Sequence, residues 1–269
     1  MDKKIEILVN DANSGDKNAL ELVVLEIKDL VYNLSLKMLL FPDDAQDATQ
    51  EILIKIITHL STFKGESSFT TWVYRVSTNY LLDIKGKKSK EFRMSFDEYS
   101  DFIDSGISNT VTYSENLGEL LLLEEEVKVS CTHGLLLCLN EQSRMVYILA
   151  EILDFNSYEG GQILDITPEN FRKQLSRSRK KIKNFLQSKC GLANPNNPCR
   201  CSKKIDFLIN NRVINPNELR FANYSNRSIA LIDKIENIEK SVAIFRSTPN
   251  FDTPENIVER TKEIIKLTQ

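Results

Sequence analysis

Apolar residues in this chain recur at helical spacing, in segments cut short by prolines, glycines and polar runs, and that pattern restricts it to packed helices. Leu20, Val23, Val24, Ile27, Leu30, Val31 and Leu34 fall on one helical stripe, and Ile52, Leu53, Ile56, Ile57 and Leu60 on another. Between them Pro42-Asp43-Asp44 reads as a helix stop and a new start, with acidic residues in the first turn, where the helix dipole favours them. Phe63 to Ser68 is a polar loop. Phe69 then opens a helix whose apolar side carries Trp72, Val73, Val76, Tyr80 and Leu81. A second group resumes near Glu115, with Leu135 to Leu139, Val146, Ile148, Leu149, Ile152, Ile163, Leu164, Ile166, Phe171, Leu175, Ile182 and Phe185 as core positions. The expected fold class is all-α. It comprises a helical bundle over 10–93, a flexible acidic linker over 94–114, a second bundle over 115–189 and a mostly helical C-terminal extension over 190–269.

A chain of 269 residues has room for two small domains and linkers. No apolar run approaches the roughly 20 residues that span a bilayer. The start Met1-Asp2-Lys3-Lys4 does not read as a signal peptide, and five cysteines are an odd number, too few for a disulfide scaffold. The expected location is therefore a reducing cytoplasm, with no membrane insertion. The net charge of -3 hides a strong segregation. Lys85 to Arg93 holds five basic residues and one acidic, Ser95 to Val127 holds nine acidic and none basic, and Arg172 to Lys189 holds eight basic and none acidic. Two basic segments divided by an acidic one suggest two nucleic-acid footprints.

The second footprint has a recognisable form. A short helix over about Glu159 to Leu164, a turn at Asp165-Ile166-Thr167 and a new helix at Pro168 read as a helix-turn-helix, with Thr167 as N-cap, Pro168 at the first helical position and Glu169 in the first turn. Phe171, Leu175 and Ile182 make its buried stripe and leave Arg172, Lys173, Ser176, Arg177 and Lys180 facing out. Arginines one turn apart suit guanine edges in a major groove, and the lysines suit phosphates. A merely solvated basic helix is the plainer reading of the same charges. Gly160 and Gly161 in the supporting helix each cost up to about 1 kcal/mol relative to Ala, so a close approach is expected there.

These residues resemble a known family. Asp43 to Glu51 resembles the acidic motif of region 2 in extracytoplasmic-function sigma factors of the sigma-70 family, and His59 to Asn79 resembles the rest of that region nearly position for position. Pro168 to Arg179 resembles the recognition helix of region 4, and the likeness covers about residues 15 to 190. It implies an RNA polymerase sigma factor that directs promoter recognition and transcription initiation, with core polymerase and promoter DNA as partners. An anti-sigma or other regulatory protein is a further partner of the kind. It also implies roles: polymerase binding for Asp47, Gln50, Glu51 and Lys55; contact with a melted -10 element, including capture of a flipped base, for Gly65, Ser67, Ser68, Phe69, Thr70, Thr71, Arg75 and Asn79; and -35 contacts for Arg172, Lys173, Ser176, Arg177 and Lys180. Trp72, on the apolar stripe, reads as core in preference to a stacking platform.

Cys190-Gly191-Leu192-Ala193-Asn194-Pro195-Asn196-Asn197-Pro198-Cys199-Arg200-Cys201 resembles a segment of those sigma factors that carry a C-terminal extension, and Cys131 and Cys138 fit the same subset. No cofactor is expected as a rule. Zinc at Cys190, Cys199 and Cys201, with Cys131 or His133 as fourth ligand, a redox switch beside Arg200, Lys203 and Lys204, and a stiff turn with packed thiols all remain open. The helical tail after it, with a start at Asp252-Thr253-Pro254-Glu255, reads as regulatory or partner-binding.

An autonomous helix-turn-helix regulator is the alternative to a sigma factor, but it would need neither the acidic docking motif nor the strand-capture loop. An enzyme is not expected. The chain has two histidines, His59 and His133, no phosphate-cradling glycine loop and no nucleophile beside an evident base.

Overall fold

The computed structural model describes residues 2–84, 93–108, 112–113, 116–221, 240–246 and 250–267. The basic run at Lys85, Lys87, Lys88 and Lys90, with Glu91, lies outside the described residues, as do Glu115 and residues 247–249. All regular elements among them are helical. They run α1 (Asp2–Asn13), α2 (Lys17–Leu39), α3 (Pro42–His59), α4 (Phe69–Asp83), α5 (Phe96–Asp104), α6 (Leu117–Leu137), α7 (Glu141–Tyr147), α8 (Ser157–Leu164), α9 (Pro168–Lys189), α10 (Ile205–Asn210), α11 (Lys240–Arg246) and α12 (Glu255–Leu267), with a π-helical turn at Ile148–Ile152.

The chain divides into two compact units. The first contains α1 to α4, the segment Asn156–Phe171 and α12; the second contains α5 to α7, the rest of α9, α10 and α11.

In the first unit α2 lies at the centre. Val23, Val24, Ile27, Val31 and Leu34 are buried, and α3 adds Ala45, Ala48, Ile52, Leu53 and Ile56. Asp16 caps α2 by accepting from the Asn18 and Ala19 amides, and α3 starts with Pro42 at its first position. The end of the tail closes this unit. Ile257, Thr261 and Ile265, spaced by four, form the buried stripe of α12, which packs on α2 and α3. A polar clasp precedes it: the Asn33 side chain donates to the Phe251 carbonyl at 2.7 Å and accepts from the Phe251 amide at 2.8 Å. The Thr253 amide and hydroxyl both donate to Asp29, at 2.7 and 2.8 Å. Burial raises the Asp29 carboxyl, but bonds from Lys28 and Thr253 outweigh it and hold it low. Lys37 is 4% exposed, and burial pushes its amine down to about 8.

In the second unit the acidic stretch expected as a flexible linker contains a helix. Ser95 and Glu98 form a capping box at the start of α5, and Tyr99 and Ile103, one turn apart, are buried. The acidic count obscured a one-turn apolar pair. Segment 201–214 packs against α6 through Leu123, Val127, Ile205, Leu208 and Ile214. Buried charges here are tied to backbone or to each other. Arg144 donates to the Leu136 and Leu139 carbonyls, both at 3.0 Å, satisfying the end of α6. Glu126 accepts from the Arg220 and Phe221 amides at 3.0 and 2.8 Å. Glu151, in the π turn, accepts from Arg179 at 2.8 and 2.5 Å, while its carbonyl accepts from Arg246 at 2.6 Å.

Candidate nucleic-acid and polymerase interfaces

On α3, Asp47, Glu51 and Lys55 stand one turn apart and exposed, so three of the four expected docking residues share one stripe. Lys55 places its ammonium 5.8 Å from the Tyr80 ring centre, and the Tyr80 phenol is raised by burial and by the Glu51 and Asp47 carboxylates. Gln50 lies on the flank towards α12 and is half-buried, its side-chain carbonyl accepting from Arg260 at 3.5 Å.

The loop before α4 borders a cavity of about 450 Å³, within the roughly 300–1,000 Å³ typical of small-ligand sites. Phe63 and Trp72 supply aromatic wall, Ser67 and Thr71 hydroxyls, and Lys64 and Arg75 cations; Glu66, Gln162 and Asp165 are on its lining too. Gly65 adopts φ +72°, a left-handed conformation for which glycine is suited, and this turns the loop over the cavity. Ser68 is the N-cap of α4. Its hydroxyl accepts from the Thr71 amide at 3.1 Å and lies 2.9 Å from the Thr71 hydroxyl, so the cap fixes one of the cavity's hydroxyls.

The expected -10 residues therefore separate into three groups. Ser67, Thr71 and Arg75 line the cavity, and Gly65 and Ser68 shape it. Asn79 is exposed one turn beyond Arg75, and Thr70 faces another cavity bordered by α1 and α2. Phe69 is 1% exposed, stacked on Trp72 at 5.7 Å and edge-on to Phe63 at 5.3 Å, so it anchors the loop from the core. Trp72, expected in the core, is half-buried with part of its surface on the cavity. Sequence spacing places a residue on a face, but it does not say that a loop will leave that face partly open. Gln162 and Asp165 were missed because they lie far away in the chain; α8 packs on α4, with Thr78 donating to the Ile163 carbonyl at 3.5 Å.

The expected helix-turn-helix is present. Asn156 and Glu159 form a capping box on α8, Asp165 ends it at φ +53°, and the Thr167 hydroxyl accepts from the Asn170 amide at 3.2 Å at the start of α9. Both glycines have a steric cause. A Cβ at Gly160 would sit 2.3 Å from the Phe171 ring, and one at Gly161 would sit 2.8 Å from the Ile166 carbonyl oxygen. The glycines thus permit the close approach on which the turn depends. On α9, Arg172, Lys173, Ser176, Arg177 and Lys180 are all exposed on neighbouring rows, whereas Arg179 is engaged by Glu151. Ser178 is buried and donates to the Gln174 carbonyl at 3.0 Å.

The cysteines divide likewise. Cys131, Cys190, Cys199 and Cys201 line one cavity, while Cys138 donates to the Gly134 carbonyl at 3.7 Å outside it. His133, weighed as a fourth ligand, is not on that lining; it is buried edge-on to Phe221, ring centres 5.4 Å apart. Among the described residues no three His, Cys, Asp or Glu side chains are already gathered into a metal-holding group.

Known proteins match this arrangement. The family model described as Sigma-70 region 2 matches residues 23–91, which contain α3, the loop and α4. The sigma factor SigW of Bacillus subtilis, described as an ECF RNA polymerase sigma factor, is 27% identical over 191 residues, covering 70% of this chain and 99% of the relative. The ECF RNA polymerase sigma-E factor of Escherichia coli K12 is 28% identical over 186 residues, covering 68% and 94%. A solved structure of CnrH in complex with the cytosolic domain of CnrY superposes with a TM-score of 0.49 at 18% identity, covering 67% of this chain and 96% of that one. Over about two thirds of its length the chain is similar to RNA polymerase sigma factors of the extracytoplasmic-function type, and its residues 23–91 match sigma-70 region 2.

Proposed function

We propose that the two surfaces divide promoter recognition between them, in the cytoplasm and on core polymerase. The exposed stripe Asp47, Glu51 and Lys55, with Gln50 at its flank, docks the polymerase. The cavity beside Gly65 captures a base extruded from the -10 element, and α9 reads the -35 element through Arg172, Lys173, Ser176, Arg177 and Lys180. The observation that carries the reading is the cavity. Its two aromatics give a face on which a base stacks, at about 1–3 kcal/mol per base. Its hydroxyls, Gln162 and the Glu66 and Asp165 carboxylates suit the amino and imino groups of a base edge, while Lys64 and Arg75 suit the flanking phosphates.

Docking at Gln50 has a structural consequence, because Arg260 of α12 already holds that side chain. A polymerase surface that takes Gln50 must displace Arg260. An autonomous operator-binding regulator is not favoured, since such a protein has no use for the docking stripe or the strand-capture cavity. No described helix is long and apolar enough to cross a membrane.

Transcription from promoter libraries with purified core polymerase tests the reading. Specific start sites that depend on this chain are expected, and Thr71→Ala with Arg75→Ala should reduce open-complex formation more than closed-complex binding. Tight DNA binding by the chain alone, with no assembly on core polymerase, would overturn it.

A further inference from the structure

The segment from Cys190 to Cys201 is a built scaffold, and what it builds is a convergence of thiols. The Asn194 side chain donates to the Gln187 carbonyl at 3.1 Å, and Asn197 donates to the Gln187 and Cys190 carbonyls at 3.0 and 3.1 Å. These bonds satisfy the last carbonyls of α9 and fold the chain back on it. Arg200 then pins the return, its guanidinium donating to the carbonyls of Pro195 at 2.8 Å, Asn197 at 2.5 Å and Cys199 at 2.7 Å. Gly191 is required for this closeness: a Cβ there would lie 2.0 Å from the Cys199 carbonyl oxygen. The result is an isolated parallel bridge that sets the backbones of Cys190 and Cys199 side by side. Cys201 follows two residues later, and α6 brings Cys131 to the same cavity, its carbonyl accepting from the Tyr99 hydroxyl at 2.9 Å.

Four of the five cysteines thus reach one cavity of about 50 Å³ from three separate places in the chain. We propose that this cavity is a binding site for a thiophilic d10 cation, held by Cys131, Cys190, Cys199 and Cys201. Four sulfur ligands suit zinc(II) or copper(I) and exclude hard cations. The thiols line the cavity without yet being drawn together, so binding closes them inward. For zinc the step is one divalent ion plus four thiols giving a tetrathiolate of net charge -2 and four released protons. Lys204, on the same lining and 1% exposed, has its ammonium beside that charge; it donates now to the Ile103 carbonyl.

The test uses the full chain, reduced and stripped of metal, titrated with zinc(II) and, in a separate arm, with copper(I) against a chromophoric chelator. One equivalent of one or both ions should bind, and the preferred arm identifies the cation. Cys131→Ser, and Cys131→Val as a variant that keeps the cavity filled, should each weaken binding on the order of a hundredfold or more, with helical content unchanged by circular dichroism. Cys138→Ser should bind like the parent. Failure of both ions to bind saturably would overturn the proposal. So would binding that survives both Cys131 variants, because the Cys199-Arg200-Cys201 turn alone would then be collecting the ion. A third overturning outcome is a Cys190–Cys199 disulfide formed with peroxide, two thiols and one peroxide giving a disulfide and two waters, in a chain that takes up no metal.

Discussion

The loop cavity beside α4 and the exposed face of α9 are both proposed to meet promoter DNA, yet they are built in opposite ways. The first is concave, with aromatic walls, short hydroxyls and charges of both signs. The second is convex and almost wholly cationic. A concave site suits a single base removed from its stack, where shape and hydrogen bonding discriminate. A convex basic helix suits an intact major groove, where long side chains reach base edges and phosphates together. The difference teaches where each is fragile: the cavity depends on packing beneath it, and the helix on the side chains it displays.

Phe171→Ala should have the largest effect. Its ring is fully buried against Gly160, so truncation should cost about 3–5 kcal/mol of stability in urea titration. Because α8 also lines the cavity, melting of the turn should impair -10 capture as well as -35 reading. An effect on -35 binding alone would break the packing half of the comparison.

Lys37→Met tests the core of the first unit, which keeps a cation inside where α9 keeps its cations outside. The folded amine sits at about 8 against an ordinary 10.5. Between those values the unfolded chain holds a proton that the folded chain does not, so stability rises with pH across this window, and the whole penalty applies below it. Removing the amine should therefore stabilise the protein by about 1–3 kcal/mol at pH 7. The gain should shrink as pH rises from 8 to 10.5, read by thermal melts across that range.

Arg177→Ala should weaken holoenzyme binding to a -35 duplex by about 1–3 kcal/mol and relax base preference at one position. Ser68→Ala should cost about 1 kcal/mol of stability through the lost cap. It should also lower open-complex yield more than duplex affinity, since Thr71 loses its anchor. The smallest effect sharpens the comparison most: Lys180→Ala should reduce the salt slope of DNA binding by about 0.9, whereas Thr71→Ala should leave that slope unchanged. Equal slopes for the two variants would mean that the surfaces do not differ in kind.

Much of the candidate site was legible from local rules. Thr167-Pro168-Glu169 announced α9 because caps and first-turn residues act within four positions. The Arg172 to Lys180 face followed from the period of the helix. The α3 residues were named from the family resemblance, and three of the four share one exposed stripe. The burial of Phe69 was not legible, because an aromatic at the mouth of a loop can turn either way, and its ring contacts are with Phe63 and Trp72. The acidic segment hid α5 because counting charges does not register Tyr99 and Ile103 one turn apart.

The sequence by itself determined an all-α fold class, the starts of α3, α4, α9 and α12, the displayed charges and the family those features resemble. Each is a short-range property, settled by neighbours along the backbone. Only the tertiary structure decided which distant parts meet: α8 on the cavity, α12 and Arg260 on the flank of α3, Cys131 with Cys190, Cys199 and Cys201. Such meetings depend on burying apolar stripes and satisfying polar groups between segments far apart in the chain, as Asn33 does with Phe251, and no local pattern encodes the partner.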